Sequence, residues 1–114
     1  GVKLLRHDDG GACTPDTIQR EVTDADIRAF TDFNRIYLPD VGDKVLDAYT
    51  CIYTMTPDDH FIIDHHQASR NVVYATGFSG HGFKFAPVVG EVLADLTLNG
   101  ATDRDIGFLR AGRF

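Results

Sequence analysis

The spacing of apolar residues predicts two helices. In residues 24–38 the recurring positions are Ile27, Phe30, Asn34, Tyr37 and Leu38. Thr23-Asp24-Ala25-Asp26 ahead of them is typical of an N-cap followed by an acidic first turn. The second stretch, residues 87–99, starts at Pro87, which a first helical turn tolerates, and closes at Asn99-Gly100. Its apolar stripe consists of Val88, Val89, Val92, Leu93 and Leu96.

Four other segments have the β-branched, aromatic or alternating character of strands. They are residues 2–7, 45–55, 60–64 and 71–76. The turn signal Thr56-Pro57-Asp58-Asp59 predicts a hairpin between the second and third, and a polar loop over 65–70 separates the last two. Residues 8–23 read as an irregular loop. The predicted fold is α+β, a mostly antiparallel or mixed sheet with two main helices.

Composition narrows the class of protein. A chain of 114 residues predicts one domain, and its net charge of −6 comes without any cluster of Lys and Arg. We therefore expect no nucleic-acid partner. No apolar run approaches the ~20 residues of a membrane span, and no signal peptide is recognisable, so we expect a cytoplasmic protein with reduced thiols. The chain begins at Gly1, inside a predicted strand, and we expect a cut end there.

The most informative segment is Gly77-Phe78-Ser79-Gly80-His81-Gly82-Phe83-Lys84-Phe85. Its three glycines permit positive φ angles and a close backbone approach to a bound group. The helix that follows directs its free N–H groups and positive dipole end at this loop, which favours an electron-rich ligand. An ordinary structural turn explains the glycines equally well, because their spacing does not match Gly-x-Gly-x-x-Gly.

Strand alternation groups several reactive side chains. Residues i and i+2 of a strand share a face, so Lys3 and His7 lie on one side of the first strand, and Cys51 lies beside Tyr53 on another. We expect these side chains to point inward. The ordinary alternative is a solvated terminal lysine with Cys51 and Tyr53 in the core.

These residues resemble a known family. The motifs are Cys51 to Asp64 (CIYTMTPDDHFIID), Asn71-Val72-Val73 and the glycine-rich segment 77–85, with further matches from Lys3-Leu4 and His7 through Pro15-Asp16-Thr17-Ile18 to Asp105-Ile106 and Arg113-Phe114. In order and spacing they resemble the C-terminal part of the monomeric sarcosine oxidase and N-methyltryptophan oxidase family. The resemblance covers nearly the whole chain.

The resemblance implies a role for each matched residue. Cys51 corresponds to the cysteine bound through sulfur to the 8α-methyl of FAD, and the turn formed by Gly80, His81, Gly82, Phe83 and Lys84 corresponds to the segment against the flavin pyrimidine. Lys84 corresponds to the lysine that pairs with the substrate carboxylate, and Tyr53 and His81 to active-site residues beside substrate and flavin. Lys3 corresponds to the lysine that helps O₂ accept electrons, where a fixed cation stabilises developing negative charge, with His7 near the same face.

The implied chemistry is the oxidation of an N-methyl or secondary amino acid by FAD. Hydride passes to the flavin, the imine hydrolyses, and O₂ reoxidises the flavin to give H₂O₂. Family members are more than three times this length, and this chain has no Gly-x-Gly-x-x-Gly for the dinucleotide. We therefore expect residues 1–114 to be a C-terminal portion that lacks the N-terminal FAD-binding half and is inactive alone. Surfaces that pack on that half would favour self-association.

Two alternatives from other classes remain. The first is a binding or scaffold module that keeps the fold without flavin. The second is a metal-binding module, because His60, Ile62, Asp64 and His66 alternate onto one strand face with His65 on the other. Solvated loop histidines are the more ordinary interpretation, and the resemblance implies structural roles for His60 and Asp64. Cys13 has no partner motif and is assigned no role.

Overall fold

The structure is a computed structural model that describes residues 1–7 and 11–114. The chain forms two compact units, Gly1–Ile52 and Tyr53–Phe114. The start of the predicted 8–23 loop, residues 8–10, lies outside the described residues. No helix within the described ranges is both long and apolar enough to cross a membrane.

The first unit contains helix α1, Asp24–Tyr37, which confirms the predicted helix. Its N-terminus is a capping box: the Thr23 hydroxyl oxygen accepts from the Asp26 N–H at 3.3 Å, and the Asp26 carboxylate accepts from the Thr23 N–H at 2.8 Å. Hydrogen bonds from the Thr23 side chain and backbone lower the pKa of Asp26. The helix ends at Tyr37 because Pro39 cannot continue it, and a 3₁₀ turn over Pro39–Val41 follows.

The strands predicted over 2–7 and 45–55 are wrong. Neither segment pairs with another strand in the described part of the chain, and most of their side chains are exposed. Their β-branched and aromatic residues suit a pleated surface, but a strand also needs a neighbour for its backbone N–H and C=O groups. The hairpin predicted around residues 56–59 therefore does not form. The turn itself does, with the Asp59 N–H bonded to the Thr56 oxygen at 3.2 Å.

The second unit contains an antiparallel hairpin of β1, Ile62–His66, and β2, Ser69–Thr76. Ile63 pairs with Ala75 and His65 with Val73, and the register is irregular between His65 and His66. The loop predicted over 65–70 is shorter than expected, because both strands continue until only Gln67 and Ala68 connect them. The observed sheet thus has two strands, in an α+β fold.

Helix α2, Ala86–Asn99, confirms the second predicted helix and packs on the hairpin. Gly100, at φ +74°, caps its C-terminus through an N–H bond to the Leu96 oxygen. Three residues of the predicted stripe, Val89, Val92 and Leu96, are buried. They form the core of this unit together with Phe61, Ile63 and Leu109. In the first unit, by contrast, the only buried residues among those described are Thr31 and Asn34.

Two carboxylates tie the end of the chain to the hairpin and its preceding turn. Arg113 Nε lies 2.7 Å from Asp58 Oδ2, and Arg113 Nη2 donates to Asp58 Oδ1 and to the His60 oxygen. Asp64 Oδ2 accepts from the Ala111 N–H at 3.0 Å. The Arg113 side chain is only 14% exposed, so this ion pair is better shielded from water than the other ion pairs among the described residues.

We expect Asp58→Asn to lower the melting temperature at neutral pH and to leave a smaller difference in acid. The hydrogen bond from Arg113 holds the pKa of Asp58 well below its ordinary value of 3.8. A lowered pKa contributes stability above the ordinary value and loses that contribution as the pH falls toward the lowered one. Melting curves from pH 7 down to strong acid test this. Asp32→Asn is the control, because the Asp32–Arg35 pair is 65% and 62% exposed and should contribute little at any pH.

Candidate functional site

The glycine-rich loop of residues 77–85 turns through three positive φ angles. They occur at Gly77 (+66°), Ser79 (+47°) and Gly80 (+75°). At Gly77 a side chain is also excluded by contact, because an added Cβ would lie 2.5 Å from the Thr56 methyl carbon. Gly82 has a negative φ, and its Cβ would collide with the Phe78 ring. The glycines therefore serve the turn and its internal packing.

We expect Gly77→Ala to destabilise the protein by about 1–3 kcal/mol, because a left-handed backbone and a clash with Thr56 coincide there. Gly90→Ala is the matched control. Gly90 lies inside α2, and an added Cβ meets no atom within 4 Å, so helix propensity should raise the stability by about 0.5–1 kcal/mol. Urea unfolding of both variants provides the measurement. Equal effects of the two substitutions would contradict this description of the loop.

The loop is anchored by residues that precede β1. The Ser79 N–H donates to the Thr54 oxygen at 3.1 Å, and the Ser79 hydroxyl accepts from the Thr56 N–H at 3.3 Å. Thr56 and Ser79 are 8% and 2% exposed, respectively. Because Tyr53 directly precedes Thr54, this anchoring brings the partly buried Tyr53 segment to the same loop.

His81 lies against the aromatic part of the core. Its ring centroid is 5.1 Å from that of Phe61 and 6.4 Å from that of Phe85, and its Nδ1 lies 3.0 Å from the Ser79 oxygen. Phe61 itself packs on Phe78 and Phe85 at 4.9 and 5.2 Å. The ring plane of His81 is thus fixed by packing, while the side chain keeps partial access to solvent.

Lys84 is an exposed cation at the entrance of α2. It lies in the 3₁₀ turn Phe83–Phe85 that leads into the helix, with its Nζ 5.8 Å from the Phe85 ring centroid. Within the described residues no carboxylate forms an ion pair with it. A helix N-terminus favours negative charge, so a lysine there is unfavourable for the helix unless an anion is supplied. Phe83 beside it is 95% exposed.

The remaining predicted site residues belong to the first unit. Lys3, His7 and Cys51 are all exposed, and Cys51 is a free thiol. The expectation that Lys3, His7 and Cys51 point inward from strands is wrong, because their segments form no ladder in the described part of the chain and their side chains are exposed. Tyr53, His81 and the Gly80–Lys84 turn all belong to the second unit.

The residues of the metal alternative are engaged in other contacts. Asp64 accepts from two backbone N–H groups, those of His65 and Ala111. His65 Nδ1 lies 3.0 Å from the Arg70 oxygen, His66 Nδ1 accepts from the Ala68 N–H, and the His60 ring packs edge-on against Phe108. No group of three or more His, Cys, Asp or Glu suited to a metal ion occurs in the described ranges.

Sequence reasoning overlooked the hydroxyl pair of Thr56 and Ser79. The Thr56 hydroxyl donates to the His60 oxygen at 2.8 Å, and its oxygen lies 3.3 Å from that of Ser79. Thr56 stood inside a turn signal and Ser79 between glycines, where hydroxyl residues are common. The only available signal was that a serine occupies a segment in which glycine would be easier to accommodate.

Comparison with known proteins assigns the chain to a family. The sequence profile described as "FAD dependent oxidoreductase" matches residues 5–96. The chain therefore belongs to the FAD-dependent oxidoreductase family.

The more specific similarity is to oxidases of N-methyl amino acids. The chain is 48% identical over 108 residues to monomeric sarcosine oxidase of Streptomyces avermitilis, covering 94% of this chain and 28% of that protein. It is 44% identical over 118 residues to monomeric sarcosine oxidase of a Bacillus species (strain B-0618), covering 99% and 30%. N-methyl-L-tryptophan oxidase of Salmonella enteritidis is 44% identical over 82 residues, covering 72% and 22%. The chain thus spans less than a third of the length of these curated relatives.

Proposed function

We propose that residues 1–114 are the C-terminal portion of an FAD-dependent oxidase of N-methyl or secondary amino acids, which converts the amine to an imine and reduces O₂ to H₂O₂. The observation that carries this is Lys84, a cation without a carboxylate partner among the described residues, at the positive end of α2. The similarity to sarcosine oxidases supplies the substrate class. The N-terminal FAD-binding half lies in the remainder of the longer polypeptide or in a partner chain.

Lys84 binds the substrate carboxylate. Its ammonium and the dipole of α2 act in the same direction on an anion placed at the loop, and the exposed position leaves room for one. A lysine is a compact charge on a flexible stem, which suits one carboxylate oxygen rather than a planar fork. The identity of the side chain that the substrate carries depends on residues outside these 114.

The residues present fit the flavin end of FAD. Cys51 supplies a free, exposed thiol, which is what a thioether to the cofactor requires. The turn formed by Gly80, His81, Gly82, Phe83 and Lys84 supplies backbone N–H groups at the start of a helix, where negative charge is stabilised. When bound, FAD supplies the acceptor for the substrate hydride and passes the electrons to O₂. No Gly-x-Gly-x-x-Gly for the dinucleotide end occurs in the sequence.

The other site residues orient the substrate or stabilise charge. Tyr53 and His81 offer a phenol and an imidazole beside the Lys84 loop, suited to hold the amine. Lys3 provides a fixed positive charge for the oxygen that is being reduced, and His7 lies on the same segment. Both are exposed in the first unit, and the similarity to sarcosine oxidases is what assigns them a role in oxygen reduction.

The isolated chain should self-associate. Large apolar side chains are exposed in both units, namely Leu46, Ile36 and Tyr37 in the first and Phe83, Leu98 and Phe114 in the second. Exposed apolar surface on this scale marks an interaction surface. Light scattering of the 114-residue chain should report a mass above 12.6 kDa, whereas a monodisperse monomer would contradict this expectation.

The proposal is tested by a visible spectrum of the full-length protein, before and after acid precipitation, together with peroxide release on addition of sarcosine. Yellow colour that stays with the precipitate and H₂O₂ formed in proportion to O₂ consumed would support it. A colourless, folded protein without peroxide release would overturn it and favour the flavin-free scaffold.

A further inference from the structure

The imidazole of His81 is held in one tautomer. Its Nδ1 lies 3.0 Å from the Ser79 carbonyl oxygen. A carbonyl only accepts hydrogen bonds, so Nδ1 carries the proton and donates it. In the neutral ring the second nitrogen, Nε2, is then left with its lone pair and can only accept.

His66 shows that the hydrogen-bond partner of Nδ1 determines which tautomer a histidine adopts. Its Nδ1 accepts from the Ala68 N–H at 3.2 Å, so the proton of its neutral ring resides on Nε2. The same unit therefore contains both tautomers, each dictated by a backbone group two residues away in sequence. The orientation of the Ser79 carbonyl is accordingly what sets the chemistry of His81.

That carbonyl belongs to a strained and buried residue. Ser79 has a φ of +47°, which is unusual for a residue with a side chain. It is 2% exposed, its N–H bonds to the Thr54 oxygen, and its hydroxyl accepts from the Thr56 N–H at 3.3 Å. Glycine would adopt this backbone at lower cost, so the side chain of Ser79 has a purpose that the turn alone does not explain.

The protons of the two hydroxyls can be placed. The Thr56 hydroxyl donates to the His60 oxygen at 2.8 Å, so it cannot also donate to Ser79. The Ser79 hydroxyl must therefore be the donor, either to the Gly77 oxygen or to Thr56 Oγ1, both at 3.3 Å. Both hydroxyls thus have hydrogen-bond partners in the interior, and these bonds hold the backbone of residues 77–79 against the segment that precedes β1.

We propose that Thr56 and Ser79 are a positioning pair that fixes His81 as the Nδ1–H tautomer, so that Nε2 accepts a hydrogen bond from the substrate. This rests on the proposed function, because the N–H of a secondary amino acid is the donor that Nε2 then recognises. Neither hydroxyl touches the reacting atoms. Their effect passes through the Ser79 carbonyl to the imidazole, which acts as an acceptor at the loop that also carries Lys84.

The test reads the tautomer directly. Full-length protein labelled with ¹⁵N-histidine is examined by two-bond ¹H–¹⁵N correlation at a pH of about 9, above the ordinary histidine pKa of ~6.5. His81→Gln identifies the His81 signals, and His66 serves as the internal example of the opposite tautomer. We expect a protonated Nδ1 at His81 in the parent protein and shifts toward a mixture of tautomers in Ser79→Ala.

Three further variants separate positioning from folding. Thr56→Val removes the hydroxyl and should shift the His81 signals in the same direction, whereas Thr56→Ser should restore them. Thr102→Val removes a hydroxyl bond to Asp95 elsewhere in the unit and should leave them unchanged. In Ser79→Ala we expect kcat/KM for an N-methyl amino acid to fall about tenfold, the effect of one hydrogen bond of ordinary strength.

A proton on Nε2 of His81 in the parent protein would overturn the proposal. So would unchanged His81 signals in both Ser79→Ala and Thr56→Val. If the signals behave as expected while the protein oxidises no N-methyl amino acid, the tautomer assignment stands and the proposed function fails, so the two failures are distinguishable.

Discussion

Cys51→Ala should leave the full-length oxidase without any covalently bound flavin. A thioether to the cofactor needs a thiol that is reduced and accessible, and Cys51 is free and exposed. Alanine has no atom that could form such a bond, so the expected loss is complete rather than partial. The measurement is the yellow colour of the acid-precipitated protein, supported by the mass of the peptide that contains residue 51.

Cys13→Ala is the matched control, because Cys13 is the other cysteine of the chain and is also free and exposed. We expect it to retain covalent flavin at the level of the parent protein. If Cys51→Ala stays yellow in the precipitate, the attachment site lies elsewhere and the assignment of Cys51 is wrong. If only Cys13→Ala loses the colour, Cys13 and not Cys51 is the attachment site.

Both helices could be predicted because their signals are local. The capping box of Thr23 and Asp26 spans three residues, and Gly100 closes α2 through a bond to Leu96 only four residues back. Hydrogen bonds within a helix connect residues that are close in sequence, so a short window contains nearly all the information. The observed helices differ from the predicted ones by one residue each. The first helix ends one residue before Leu38, and the second begins at Ala86, one residue earlier than predicted.

The strands over 2–7 and 45–55 failed for the opposite reason. Residues such as Val2, Leu5 and Tyr49 have the composition of a strand, yet their side chains are exposed and their backbone has no ladder within the described residues. Strand pairing depends on a partner that can lie anywhere in the polypeptide. The strands that became β1 and β2 were predicted but their pairing was not, although only Gln67 and Ala68 separate them.

The candidate site was predicted in part. The loop of residues 77–85 was conspicuous by its glycines, and the positive φ angles at Gly77 and Gly80 agree with that interpretation. The contacts that shape the loop were not predictable, because Thr56 and Ser79 meet across 23 residues. Arg113 and Asp58 meet across 55. Such contacts depend on the tertiary fold, which a short window of sequence does not contain.

Replacement of Lys84 by methionine should weaken carboxylate substrates far more than any other class of amine. Lys84 stands at the positive end of α2 without a carboxylate partner among the described residues, so the substrate anion is its proposed counterion. Hydrogen bonds to charged groups contribute about 1.5–3 kcal/mol, and that range corresponds to a fall in kcat/KM of about 10–150-fold. Methionine keeps much of the length and apolar stem of lysine, which limits any effect on packing.

The comparison that isolates the charge uses two substrates and two controls. With an N-methyl amino acid, Lys84→Met should show the full fall in kcat/KM, mostly through a higher KM. A secondary amine of similar size without a carboxylate should be oxidised about equally by Lys84→Met and the parent. Lys84→Arg should recover part of the loss, because it restores the charge on a wider, planar group. Lys44→Met, at an exposed lysine of the first unit, should behave like the parent enzyme. An equal loss with both substrates would mean that Lys84 supports the loop rather than the carboxylate, since a structural defect does not distinguish substrates by charge.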